Sequence, residues 1–147
     1  MNSNFKNEVS KRPGGENLNL CYSCGSCTAT CPVSEVDTSF NPRLIIKKTQ
    51  LGFKEEVLNN DDLWKCVQCR RCVAHCPQNV KFADIIRVLR NMAIEEGYYP
   101  ETMIDNLDHL DQTLLKYRLA AVLEHLQDKK DIEEVIKEVE AGGDSND

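Results

Sequence analysis

Aromatic side chains make up only 6% of the 147 residues, with a single tryptophan. Apolar residues reach 41%, so the core is modest and order must come in part from another source. No stretch approaches the roughly 18 to 20 consecutive apolar residues of a membrane span, which excludes a direct membrane span as the expected form. Positive charge is in the minority, 18 Lys and Arg against 24 Asp and Glu for a net charge of -6, and this excludes the basic surface that nonspecific nucleic-acid binding needs. The segment from Met1 to Asn19 holds no apolar run of the signal-peptide kind, so a reducing, cytoplasmic location is expected. Also missing are a Ser-His-Asp set, a phosphate-cradling glycine loop and a dinucleotide fingerprint. No catalytic residue is therefore expected in this chain. Cysteine, finally, is absent everywhere but in two short stretches.

Those stretches hold all eight cysteines in two copies of one spacing, Cys21-x2-Cys24-x2-Cys27-x3-Cys31-Pro32 and Cys66-x2-Cys69-x2-Cys72-x3-Cys76-Pro77. Three thiolates two residues apart wrap three corners of a cubane from one tight loop, and a fourth, more distant cysteine closes the last corner. The spacing is that of two [4Fe-4S] clusters, in which the fourth cysteine usually serves the other cluster. The first cluster is therefore assigned to Cys21, Cys24, Cys27 and Cys76, and the second to Cys66, Cys69, Cys72 and Cys31. Each cluster would then tie the two halves of the chain together, coupling its assembly to folding. Zinc fits less well, because its C-x2-C pairs are separated by a longer stretch. A disulfide framework requires an oxidising compartment and suits a shorter, more cysteine-dense chain.

The rest of the chain is punctuated for helices, and the expected fold is mainly α. Residues 1–16, polar and broken by Pro13-Gly14-Gly15, read as a flexible arm ahead of a two-cluster domain over residues 17–99. Between the motifs, Asn41, Pro42 and Gly52 supply a capping side chain, a proline at the first helical position and a glycine past the end. Asp61 or Asp62 is placed to cap a turn carrying Leu63 and Trp64. After the second motif, Phe82, Ile85, Ile86, Leu89, Met92 and Ala93 recur at helical spacing up to Gly97. Residues 100–141 read as an amphipathic helical tail, with Leu107, Leu110, Leu114, Leu115, Ala121, Val122 and Leu126 as one stripe and Ile132, Val135, Ile136 and Val139 as another. That tail either packs on its own domain or docks a partner; residues 142–147 are expected to be disordered.

The two cysteine loops differ in their neighbours. Ser23, Ser26, Thr28 and Thr30 accompany the first, whereas Lys65, Arg70, Arg71, His75 and Lys81 accompany the second. Positive charge and hydrogen bonds to sulfur both favour a reduced cluster. Fixed charge acts over the longer range, so the second-motif cluster is expected to have the higher potential through Arg70 and Arg71, which could equally be a docking patch for an acidic partner. His75 is read as a solvent-facing or backbone-bonded residue, because the cysteine set is complete without it. Trp64 is read as packing that excludes water, and Pro32 and Pro77 as turns that shield the clusters.

The segments Leu20-Cys21-Tyr22-Ser23-Cys24-Gly25-Ser26-Cys27-Thr28-Ala29-Thr30-Cys31-Pro32 and Trp64-Lys65-Cys66-Val67-Gln68-Cys69-Arg70-Arg71-Cys72-Val73-Ala74-His75-Cys76-Pro77 resemble those of the small C-type component of heterodisulfide reductase. With 34 residues of helical character between Cys31 and Cys66, the arrangement also resembles the alpha-helical ferredoxin domain rather than the small strand-built ferredoxin. The resemblance implies two cubanes among short helices. It also implies a non-catalytic electron-relay subunit of an oxidoreductase complex, passing electrons from a flavin-bearing A-like subunit to a cysteine-rich B-like subunit, with FAD only in the partner. A free dicluster ferredoxin serving several enzymes, or a cluster-dependent sensing protein, are the other readings open at this point.

Overall fold

In a computed structural model, residues 1–128 and residues 133, 134, 136 and 137 are described, residues 126–128 by their backbone alone. The chain divides between Glu101 and Thr102. Helices α1 (Phe5–Ser10), α2 (Ser26–Ala29), α3 (Pro32–Val36), α4 (Pro42–Leu51), α5 (Lys54–Leu58), α6 (Asp62–Lys65), α7 (Arg71–Ala74) and α8 (Phe82–Glu95) form the first unit, with a 3-10 segment at Glu16–Leu20 between α1 and α2. Helix α9 (Met103–Asp128) belongs to the second. No strand occurs among the described residues, so the fold is helical, as expected.

Helix α8 is the centre of the first unit. Its residues Ile85, Ile86, Leu89, Met92 and Ala93 are buried, as are Val57, Leu58, Leu63, Ile46 and Phe40 from the helices and loops around it. The periodicity that marked α8 is thus its packing face. Helix α4 begins and ends at its punctuation: Asn41 Oδ1 accepts from the Leu44 amide at 3.0 Å, Pro42 opens the first turn, and Gly52 takes the left-handed conformation at φ 84°. Gly52 has a second duty. A Cβ there would stand 2.2 Å from the Asn2 carbonyl oxygen, because the Asn2 amide donates to the Gly52 carbonyl at 2.7 Å.

That contact corrects the expectation of a flexible arm over residues 1–16. Phe5 and Val9, one turn apart on α1, are both fully buried. Two ion pairs then fasten the segment at its rim: Arg12 forks onto Glu95 at 2.7 and 2.6 Å, and Lys54 lies between Glu8 at 2.9 Å and Glu96 at 2.6 Å. The polar composition of the segment is its outer surface. Its hold on the domain rests on two apolar residues, too few to register as a periodic stripe.

The cap of α6 also differs from expectation. Asn60 Oδ1 accepts from the Asp62 amide at 2.8 Å, while Asp61 makes no cap and accepts from the Tyr99 hydroxyl at 2.9 Å. In the second unit, α9 gathers no single apolar face. Leu110, Leu114, Leu115, Leu119 and Leu123 are each about half exposed, and adjacent residues such as Leu114 and Leu115 project about 100° apart on a helix. Ile136 is also exposed; Ile132, Val135, Val139 and residues 142–147 lie outside the described residues.

Candidate metal centre

The two cysteine loops fold by one backbone recipe. In Cys21–Cys27 the chain turns through left-handed conformations at Ser23 (φ 63°) and Gly25 (φ 89°), and in Cys66–Cys72 through the equivalent Gln68 (φ 50°) and Arg70 (φ 61°). Such backbone is costly for residues other than glycine, Arg70 above all, and it concentrates at sites where the surrounding structure enforces it. Here it curls each loop so that three thiols face inward. Helices α2 and α7 follow directly, carrying Cys27 and Cys72.

The thiols line two adjoining hollows of about 330 and 310 Å³, counting the part open to solvent. Cys21, Cys24, Cys27 and Cys76 line the first; Cys31, Cys66, Cys69 and Cys72 line the second. Cys72 also borders the first hollow, and Phe82, at the start of α8, forms a wall of both. Among the described residues no three Cys, His, Asp or Glu side chains converge closely enough for a single metal ion. The donors are spread around volumes wider than one ion, a spread that suits a multi-iron group held by four thiolates.

Polar hydrogens already point at several sulfurs. The Ser23 amide lies 3.4 Å from Cys21 Sγ, the Val80 amide 3.4 Å from Cys76 Sγ, and Gln68 Nε2 3.6 Å from Cys66 Sγ. Ser26 Oγ lies 3.3 Å from Cys24 Sγ, and the hydroxyl holds that exposed thiol below its ordinary pKa. Inner thiols behave oppositely. Burial, followed by the neighbouring Cys66, pushes the Cys72 thiol up to about 11, and burial likewise raises Cys66 and Cys27. A thiolate at those positions needs metal to offset its lost hydration.

The charged and hydroxylated neighbours play different parts from those their positions suggested. Thr28 donates to Asn41 Oδ1 at 3.0 Å and accepts from the Arg43 amide at 3.2 Å, tying the first loop to the start of α4. Thr30 closes its own helical turn onto the Ser26 carbonyl. Arg70 forks onto Asp84 at 3.0 and 3.1 Å. Lys65 is held by Asp37 at 2.7 Å and Asp62 at 2.9 Å. Its hydrogen bond is the main reason the Asp37 carboxyl falls to about 2. Two of the cations around the second motif are thus matched by carboxylates. His75 is exposed and lines neither hollow. Trp64 is buried, packed edge-on against Tyr99 at 5.0 Å.

Two residues escaped the sequence reading. Gln50 on α4 donates to the Leu18 and Cys21 carbonyls at 3.0 and 3.2 Å. Arg90 on α8, only 8% exposed, donates to the carbonyls of Leu63 at 2.7 Å, Trp64 at 3.2 Å and Cys66 at 2.8 Å, with its guanidinium 5.5 Å from the Trp64 ring. The sequence signal for Arg90 was an arginine on the otherwise apolar face of α8.

Residues 17–80 match the family described as 4Fe-4S dicluster domain, so helical fold, thiol-lined hollows and family agree on an iron-sulfur domain of the dicluster class. Among curated proteins, the chain is similar to the C-type iron-sulfur component of CoB--CoM heterodisulfide reductase. In Methanopyrus kandleri the identity is 44% over 81 residues, covering 55% of this chain and 42% of the relative. The second such C-type component of the same reductase in Methanocaldococcus jannaschii is 40% identical over 104 residues, 66% of this chain and 55% of the relative. A protein of Archaeoglobus profundus described as similar to this same heterodisulfide reductase component is 32% identical over 103 residues, 70% and 55% respectively. The chain spans about half the length of the curated relatives it matches.

Proposed function

We propose that this chain is an electron-relay subunit with two [4Fe-4S] clusters, standing between a flavin-containing subunit and a cysteine-rich catalytic subunit of a heterodisulfide-reductase-like complex. The observation that carries the reading is the pair of adjoining hollows, each combining three thiols of one motif with the fourth of the other. Cys21, Cys24, Cys27 and Cys76 would hold one cluster, and Cys66, Cys69, Cys72 and Cys31 the other. When bound, each cluster takes up and releases one electron, and its potential follows from hydrogen bonding, charge and exposure.

The chain's own work is positional. Left-handed turns aim the thiols, amide N–H groups meet the sulfurs, and Phe82 keeps water from the boundary between the sites. Cys24 and Cys69 are exposed, as are Tyr22 and Val67 in equivalent loop positions, so each site has an edge that a partner can approach. The FAD belongs to that partner. Among the described residues no helix is long and apolar enough to cross a membrane, and reduced thiols suit the cytoplasm.

Anaerobic isolation from the native host, with identification of stoichiometric partners, tests the reading. A flavoprotein and a cysteine-rich subunit should accompany the chain. Full cluster content with no stable partner would instead indicate a free dicluster ferredoxin.

A further inference from the structure

The two halves of the first unit are related beyond their cysteines. The 3-10 segment leads into Cys21 as α6 leads into Cys66, and α4 follows the first motif as α8 follows the second. Gln50 is the ninth residue of α4, and Arg90 the ninth of α8. Each reaches back to the same two carbonyls of its own half. Gln50 binds those of Leu18 and Cys21, and Arg90 those of Leu63 and Cys66. In both halves these are the carbonyls of the first cysteine and of the leucine three residues before it. One structural task, fixing the entry to a cysteine loop, is performed by a neutral amide in one half and a guanidinium in the other.

We propose that Gln50 and Arg90 are matched positioning residues, and that the charge on Arg90 sets the potential of the second-hollow cluster above that of the first. The inference rests on the two-cluster reading. A reduced cluster carries one more negative charge than an oxidised one, so a nearby cation stabilises the reduced form. The interaction strengthens as water is excluded. Arg90 meets both conditions, being buried and bonded to the main chain of a cluster ligand. Arg70, which the sequence suggested for this role, is about half exposed and forked onto Asp84. Lys65 lies between two carboxylates. The site's electrostatic asymmetry therefore originates on α8, at a residue 24 positions beyond Cys66.

An EPR-monitored redox titration of the anaerobic holoprotein tests this, with wild type, Arg90→Gln, Gln50→Arg and the double exchange compared. Cys24→Ser and Cys69→Ser, each altering one hollow, assign the two signals. Arg90→Gln should lower the second-hollow potential, and Gln50→Arg should raise the first, each by at least tenfold in the oxidised-to-reduced ratio, about 59 mV for one electron. The double exchange should reverse or close the gap. Arg90→Lys keeps the charge but not the three-carbonyl fork. It should hold a near-native potential while losing iron faster to a chelator.

Unmoved potentials in fully loaded Arg90→Gln and Gln50→Arg proteins would overturn the proposal, as would equal shifts in Arg90→Lys and Arg90→Gln. If Arg90→Gln fails to retain iron, Gln50→Arg decides alone, and an unmoved first potential overturns the idea. A wild-type protein without two clusters would overturn the cluster reading first, visibly in its iron count, and this inference with it.

Discussion

Asp37 and Lys65 show how a residue's charge can be visible in sequence while its effect is not. Lys65 sits one position before Cys66, but the carboxylate that answers it comes from 28 residues earlier. The pair's dependence on pH follows from both shifts. Asp37, held down to about 2, contributes stability above its ordinary value of 3.8 that is lost as pH falls through about 2. Lys65 is raised, chiefly by its hydrogen bond to Asp37, so its contribution is full below its ordinary 10.5 and lost only above that value. Asp37→Asn should therefore be less stable than wild type by a constant margin from about pH 5 to about pH 9. Denaturant unfolding at several pH values checks this, and a margin that fades between pH 5 and 7 would contradict it. The same distance problem hid the Arg70 and Asp84 fork, and more completely the reach of Gln50 to Cys21 and of Arg90 to Cys66. The cysteines were legible because cluster ligation imposes a local spacing, whereas a side chain's tertiary partner leaves no local mark.

Among the elements, legibility followed the amount of local punctuation. Helix α4 has its cap, proline and terminal glycine within its own boundaries, and α8 repeats its apolar face over several turns. Helix α1 has neither, and only tertiary burial of Phe5 and Val9 explains its place. Phe5→Ala should cost about 3–5 kcal/mol, read as a lower unfolding midpoint of the holoprotein; a loss below about 1 kcal/mol would restore the flexible-arm reading. The interlock of the two motifs makes a second prediction at this scale. Cys76→Ser, although in the second motif, should alter the EPR signal of the cluster held by Cys21, Cys24 and Cys27. Cys31→Ser should alter the other. Perturbation of the cluster within the same motif would mean that each motif closes its own site.

Taken whole, the molecule pairs a helical domain ordered around its cysteine loops with a long helix, α9, whose leucines stay half exposed. The scarcity of aromatics now has a structural counterpart: Phe40 and Phe82, 6.5 Å apart, serve the interior beside the site, with Phe82 walling both hollows. Charge also divides unevenly along the chain. Residues 1–101 carry 13 Lys and Arg against 12 Asp and Glu, while the remaining residues carry 5 against 12, so the acidity is concentrated in the tail. That division, like the partner subunits, belongs to assembly rather than to the domain's own fold.

The central claim is that two one-electron centres occupy this one chain. Iron and sulfide analysis joined to an EPR-monitored redox titration of the anaerobic protein tests it most directly. The account predicts about eight irons and eight sulfides per chain and two separate one-electron transitions of [4Fe-4S] type. A single transition with about four irons, or stoichiometric zinc in their place, would contradict it.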